Sequence, residues 1–191
     1  MKPAGLILAA GESRRMGSPK ALLEYRGETF LDRLIGMFAI HCDPVIVVLG
    51  AHADAIRRGA VRAAEAELVV NPDWTQGQLT SLQCGLRAVP AEAPAVLYTL
   101  VDHPAVSNGS VLALLQGESP VLRVPRHRGR HGHPLWIGRA LFAELLAERD
   151  SAREVVHRHL AGTEYIEVDD PGILADIDDP AAYRALSGGA A

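Results

Sequence analysis

Two runs constrain the fold most: residues 45–49 and 95–101 carry no charged side chain and are almost wholly apolar. A strand with one wet face alternates apolar and polar residues, whereas a strand covered on both faces does not. Both runs therefore read as central strands with helices on either side. The first of these strands is expected to span 44–49; further strands are expected at 5–9, 67–70, 121–124 and 165–168, with an additional strand or hairpin at 131–137. Helical patterns fall at 29–39, 53–65, 78–87, 107–115, 139–148 and 152–160. Ser107 and Ser151 suit N-caps. Strands alternating with helices imply βαβ units and a mostly parallel sheet. The expected fold is a single-domain, Rossmann-like, three-layer α/β/α architecture. The domain should span 1–186, with 187–191 a flexible tail. A chain of 191 residues suits one sizeable core.

In open sheets of this kind, ligands bind outside the carboxyl ends of the strands. That rule singles out the loops after three expected strands, at 11–20, 71–82 and 102–104. The first joins Gly11 and Gly17, which let backbone approach a ligand, to the cations Arg14, Arg15 and Lys20. This combination suits phosphates. The dinucleotide pattern G-x-G-x-x-G fails at Ser13. The pattern G-x-x-x-x-G-K-[ST] fails because Lys20 follows Pro19.

The other loops leave alternatives open. Gly77 would let backbone lie flat against a base and Ser81 can present a hydroxyl, but both also suit a turn and a helix start. Trp74 reads as a packing residue. Asp102 ends a strand, where it can ligate a metal beside phosphates or cap a helix. Asp178 lies in an acidic segment that also reads as a solvated turn. The run 123–133 is rich in Arg and His. By its residues alone it reads as a solvated basic loop or, weakly, as a transition-metal site through His127, His131 and His133. His41, His52, His157 and His159 read as surface residues.

Residues Leu8 to Lys20 fill every fixed position of L-A-A-G-x-S-x-R-M-G-x-P-K. The chain thereby resembles nucleotidyltransferases of the molybdenum cofactor cytidylyltransferase type, with the nucleotide-diphospho-sugar transferase fold. The segment from Asn71 to Leu82 resembles the N-x-x-W-x-x-G-x-x-x-S-L element of that family. Asp102 with Pro104, Gly132-His133-Pro134 and the segment 175–180 resemble further family elements. The resemblance implies a nucleotide site at Leu8, Ala9, Ala10, Gly11, Glu12, Ser13, Gly77 and Ser81. It implies catalytic roles for Arg15, Lys20 and Asp102, and Mg²⁺ on Asp102 and Asp178. Gly132 and His133 would border the acceptor, molybdopterin or molybdenum cofactor, whose phosphate Arg126, Arg128 or Arg130 would attract, and a molybdoenzyme would receive the product. In this family L-A-A-G accompanies CTP, and Ala10 adds a methyl group where a purine needs room. His103 departs from the usual Gln, which opens the question of the acceptor.

The reaction so implied is in-line attack of a phosphate on the α-phosphorus of a nucleoside triphosphate. A phosphate monoester is already largely dianionic at neutral pH, its second pKa being about 6, so no strong base is needed. The chain accordingly offers no persuasive Ser/His/Asp or Cys/His arrangement. GTP or another small phosphate as substrate, and a non-catalytic cofactor carrier, are the competing readings. A net charge of −4 argues against a nucleic-acid partner. The apolar runs are too short for a membrane span, and the expected location is cytoplasmic. Cys42 and Cys84 form no C-x-x-C and read as reduced packing residues.

Overall fold

All six residues of β1 (Ala4–Ala9) are buried in the computed structural model, which describes residues 1–188. Successive side chains of a strand point to opposite faces, so β1 needs cover on both. Ile7 and Ala9 pack into one apolar cluster, and Leu6 and Leu8 into a second. In chain order there follow β2 (Glu24–Tyr25), β3 (Glu28–Thr29), α1 (Phe30–His41), β4 (Val45–Leu49), α2 (Ala53–Gly59) and β5 (Glu67–Val70). Next come α3 (Gln78–Ala88), β6 (Ala95–Leu100), α4 (Asn108–Gln116), β7 (Leu122–His127), β8 (Arg130–His131) and β9 (Leu135–Gly138). The chain continues through α5 (Phe142–Ala147), α6 (Ala152–Arg158), β10 (Thr163–Glu167) and α7 (Pro180–Gly188).

The main sheet runs β10-β7-β9-β6-β1-β4-β5, with β8 added on β7. Its pairings are parallel except those of β8 and β9. Residues of α1, α2, α4 and α7 join the first cluster, and residues of α3, α5 and α6 the second. The architecture is therefore the expected three layers. No helix among the described residues is long and apolar enough to cross a membrane. Cys42 is buried and Cys84 half-buried, and both are free thiols.

The elements depart from the sequence pattern where tertiary bonds compete. Buried Asp32 accepts from the Thr29 hydroxyl at 2.7 Å and from the Arg62 amide at 2.8 Å. The Arg62 amide is thus taken by α1, and the expected helix 53–65 stops at Gly59 and resumes as a 3₁₀ turn at Ala63–Glu65. The helix expected at 139–148 opens as a 3₁₀ turn, Arg139–Leu141, before α5. Ser107 caps α4 by accepting from the Ser110 amide, whereas Ser151 precedes α6 without a capping bond. Helix α7 takes in 187 and 188, the first two residues of the expected tail, and 189–191 lie outside the described residues.

Asp170 ties the start of α4 to the segment before α7. Its carboxylate accepts from the Ser107 amide at 2.8 Å, the Ser110 hydroxyl at 2.6 Å and the Gly172 amide at 2.8 Å. Burial pushes its pKa up, but these hydrogen bonds outweigh burial and leave it below the ordinary value. A depressed folded pKa stabilises the fold above the unfolded value, near 4, and the gain is lost as pH falls through the folded value. Asp170→Asn should therefore melt below wild type at neutral pH, and the gap should close below about pH 4. A gap in melting temperature that stays constant from neutral to acid pH would contradict this account.

Candidate active site

Strands β1, β4, β5 and β6 are parallel, so their carboxyl ends share one edge of the sheet. A cleft of about 520 Å³ opens there, within the usual size of a small-molecule site. Leu8, Ala9, Ala10, Gly11, Glu12, Ser13, Arg15, Lys20, Gly77, Ser81, Asp102 and Asp178 all line it. The three loops thus converge, joined by the acidic segment that precedes α7. Gly132 and His133 do not line the cleft.

The first loop is held from outside and open inside. Ser13 adopts a positive φ of 56°. Its carbonyl accepts from the Met16 amide at 2.9 Å, and its hydroxyl accepts from the Lys20 amide at 3.1 Å. His52, expected at the surface, is half-buried and donates from Nε2 to the Glu12 carbonyl at 2.9 Å. With these bonds made, the amides of Gly11, Glu12 and Ser13 find no acceptor among the described residues. Successive free amides in a turn form an anion-binding concavity. Gly11 does not take a positive φ, whereas Gly17 does, at 69°.

The second loop forms the opposite wall. Buried Asn71 donates from Nδ2 to the hydroxyls of Thr80 and Ser81, each at 3.0 Å, and fixes Ser81 at the cleft. Gly77 has φ 112°, a conformation that strains any L side chain. Gln78 lines the cleft and donates to the Tyr98 hydroxyl at 2.7 Å. Trp74 both packs on the second cluster and lines the cleft. At the end of β4, a Cβ on Gly50 would lie 2.4 Å from the Ala10 carbonyl oxygen and 2.8 Å from the Trp74 Cβ. Only glycine lets these two walls approach so closely.

Charge gathers at the other end. Lys20 Nζ donates to Asp102 Oδ2 at 3.0 Å and to Asp178 Oδ1 at 2.5 Å. Burial alone would lower the Lys20 pKa, but the hydrogen bond to Asp178 and the charge of Asp102 outweigh it, and the net shift is upward. An ammonium has three donors, and among the described residues Lys20 has only these two acceptors. Arg15 donates to Asp178 Oδ2 at 2.6 Å. The hydrogen bond from Lys20, helped by Arg15, holds the Asp178 carboxyl below its ordinary pKa. The third carboxylate, Asp176, is pushed upward by burial and by the charges of Asp102 and Asp178.

These three carboxylates fit a divalent cation. Asp102, Asp176 and Asp178 offer oxygens within 4.8 Å of one another. Asp102 Oδ1 is buried and has no hydrogen-bond partner among the described residues. An orphaned buried oxygen in an all-carboxylate set suits a hard cation rather than a thiophilic one. Asp102 sits where β6 ends, and its carbonyl accepts from the Ile177 amide at 2.9 Å, which brings the last acidic segment to it.

Beside Asp102, the rings of His103 and His133 stack with centroids 4.7 Å apart. Burial lowers the His103 pKa to about 4 and the His133 pKa to about 3, so both are neutral at physiological pH. In the basic run, Arg126 pairs with Glu167, and the Arg128–Gly129 turn between β7 and β8 is exposed. Sequence reasoning missed Gly50, Asn71, Asp170 and Asp176 as structural partners of the site. The acidic segment was visible, but nothing local distinguishes Asp176 from its neighbours. Trp74 reads as packing from its sequence context, and the structure gives it both that role and a place in the cleft wall.

Residues 5–163 match the family described as the MobA-like NTP transferase domain. The chain is 27% identical over 176 residues to the molybdenum cofactor cytidylyltransferase of Escherichia coli (strain K12), covering 92% of this chain and 90% of that protein. It is 37% identical over 148 residues to the nicotine blue oxidoreductase of Paenarthrobacter nicotinovorans, covering 72% and 71%. The crystal structure of Rv0371c from Mycobacterium tuberculosis H37Rv superposes with a TM-score of 0.84 at 28% identity, covering 98% of this chain and 99% of that one. The same protein solved in complex with manganese gives a TM-score of 0.81 at 27% identity, with the same coverage.

Proposed function

The chain belongs to the MobA-like NTP transferase domain family, and from that premise we propose that it joins the cytidylyl group of CTP to the phosphate of molybdopterin or molybdenum cofactor. The observation that carries this reading is the pairing of Lys20 with Asp102 and Asp178 beneath a loop of free amides. Nucleotidyl transfer needs placed charge more than acid–base groups. An oxygen of the acceptor phosphate attacks the α-phosphorus. The bond from that phosphorus to the bridging oxygen breaks, and pyrophosphate leaves with the electron pair. The amides of Gly11, Glu12 and Ser13 bind phosphate oxygens. The remaining Lys20 donor and the Arg15 guanidinium stabilise negative charge as it moves onto the leaving group. Gly77 and Ser81 hold the base. Asp102, Asp176 and Asp178 would hold Mg²⁺, which when bound aligns phosphate oxygens and offsets their charge.

The relative from E. coli supports the cofactor substrate, and the L-A-A-G sequence with the Ala10 methyl in the cleft supports CTP. GTP, or another small phosphate as acceptor, would leave the same residues in the same roles. The deciding assay is pyrophosphate release with Mg²⁺ and molybdenum cofactor, comparing CTP, GTP, ATP and UTP. Release with CTP alone is expected. Release with GTP keeps the chemistry and overturns the base. Nucleotide binding without release, across acceptor phosphates, would leave a carrier.

A further inference from the structure

Gly132 and His133 stand outside the cleft, yet their backbone touches the segment that delivers Asp178 to it and Asp176 to the acidic cluster. The His133 amide donates to the Ile173 carbonyl at 2.9 Å. A Cβ on Gly132 would lie 2.1 Å from that same carbonyl oxygen and 2.6 Å from its carbon. Gly132 is itself anchored, its amide donating to the Pro125 carbonyl of β7 at 3.1 Å. Ile173 and Ile177 are both buried in the first cluster, and the Ile177 amide is bound to the Asp102 carbonyl. The segment is therefore pinned at Ile173 and again at Ile177. Asp176 lies between the pins and Asp178 directly after the second. Few rotatable bonds separate the first pin from the carboxylates, so displacing it displaces them.

We propose that Gly132 and His133 are positioning residues: their backbone seats the strap 172–178 and so sets where Asp176 and Asp178 stand relative to Asp102. This differs from a role in contacting the acceptor. It rests on the reading of the acidic cluster as a cation site, and the test separates the two. The probe is Mn²⁺ alone, titrated by electron paramagnetic resonance without nucleotide or acceptor. Gly132→Ala must push the Ile173 carbonyl away. Displaced support of metal ligands typically weakens metal affinity about 10- to 100-fold, and that loss is expected here with circular dichroism unchanged. Wild-type Mn²⁺ affinity in Gly132→Ala, with only the Michaelis constant for acceptor raised, overturns the seat and restores an acceptor contact. Failure of the wild-type protein to bind Mn²⁺ overturns the cation reading, and the inference falls with it.

If Gly132→Ala does not fold, hydrogen exchange in the wild-type protein decides. The His133 and Ile177 amides mark the two pins. Saturating Mn²⁺ should slow both by the same factor, because opening the strap at either pin would move bound carboxylates. Protection of Ile177 with no change at His133 would show that the first pin does not serve the site.

Discussion

Lys20→Ala should lower kcat/KM by about 1,000-fold, a loss of about 4 kcal/mol of transition-state stabilisation. The side chain is only 12% exposed, and it is the one group that touches both Asp102 and Asp178 among the described residues. Removing it takes away a donor placed for phosphate and leaves two carboxylates facing each other without their shared cation. Lys20→Arg should not restore activity. A planar fork cannot replace a compact ammonium in that space. Arg15→Ala should cost less, since Arg15 is 65% exposed and, among the described residues, forms an ion pair with Asp178 and not with Asp102. The check is steady-state pyrophosphate release alongside thermal melts. Folded Lys20→Ala with near wild-type turnover would remove the basis for the proposed reaction.

Asp102→Asn should cost about 100- to 1,000-fold in the same assay, the range for deleting one electrostatic contact at a reacting centre. The substitution keeps shape and leaves the carbonyl that holds Ile177. Its effect therefore reports charge rather than support. Mn²⁺ affinity should fall in parallel, because the orphaned Oδ1 is replaced by a poorer ligand or by an amide donor. Unchanged Mn²⁺ binding together with unchanged turnover would show that Asp102 only anchors the strap.

The sequence exposed the sheet wherever burial is complete. β1, β4 and β6 fall within one residue of expectation, because strands covered on both faces leave uninterrupted apolar runs. The hairpin of β2 and β3 has two residues per strand and no periodicity to read. The break after Gly59 depends on Asp32, nearly thirty residues earlier, so no local pattern announces it. The site divides the same way. Gly11, Lys20 and Gly77 could be singled out because turn chemistry and charge are local. Asp178 entered through resemblance alone, since its partner Asp102 is remote in sequence. Asp176 and Gly50 needed coordinates, because their significance is a distance to another loop.

One strand of the main sheet, β9, runs against both its neighbours, β6 and β7. In a wholly parallel sheet only strand exits reach the ligand-bearing edge, and strand entrances lie on the far side. Reversing β9 brings an entrance to that edge, which is how the residues just before it can brace the chain near Asp102. It also leaves the Arg128–Gly129 turn as an outward tip between two fixed registers. The turn has two residues, and in so tight a hairpin its length sets the register of β8 on β7.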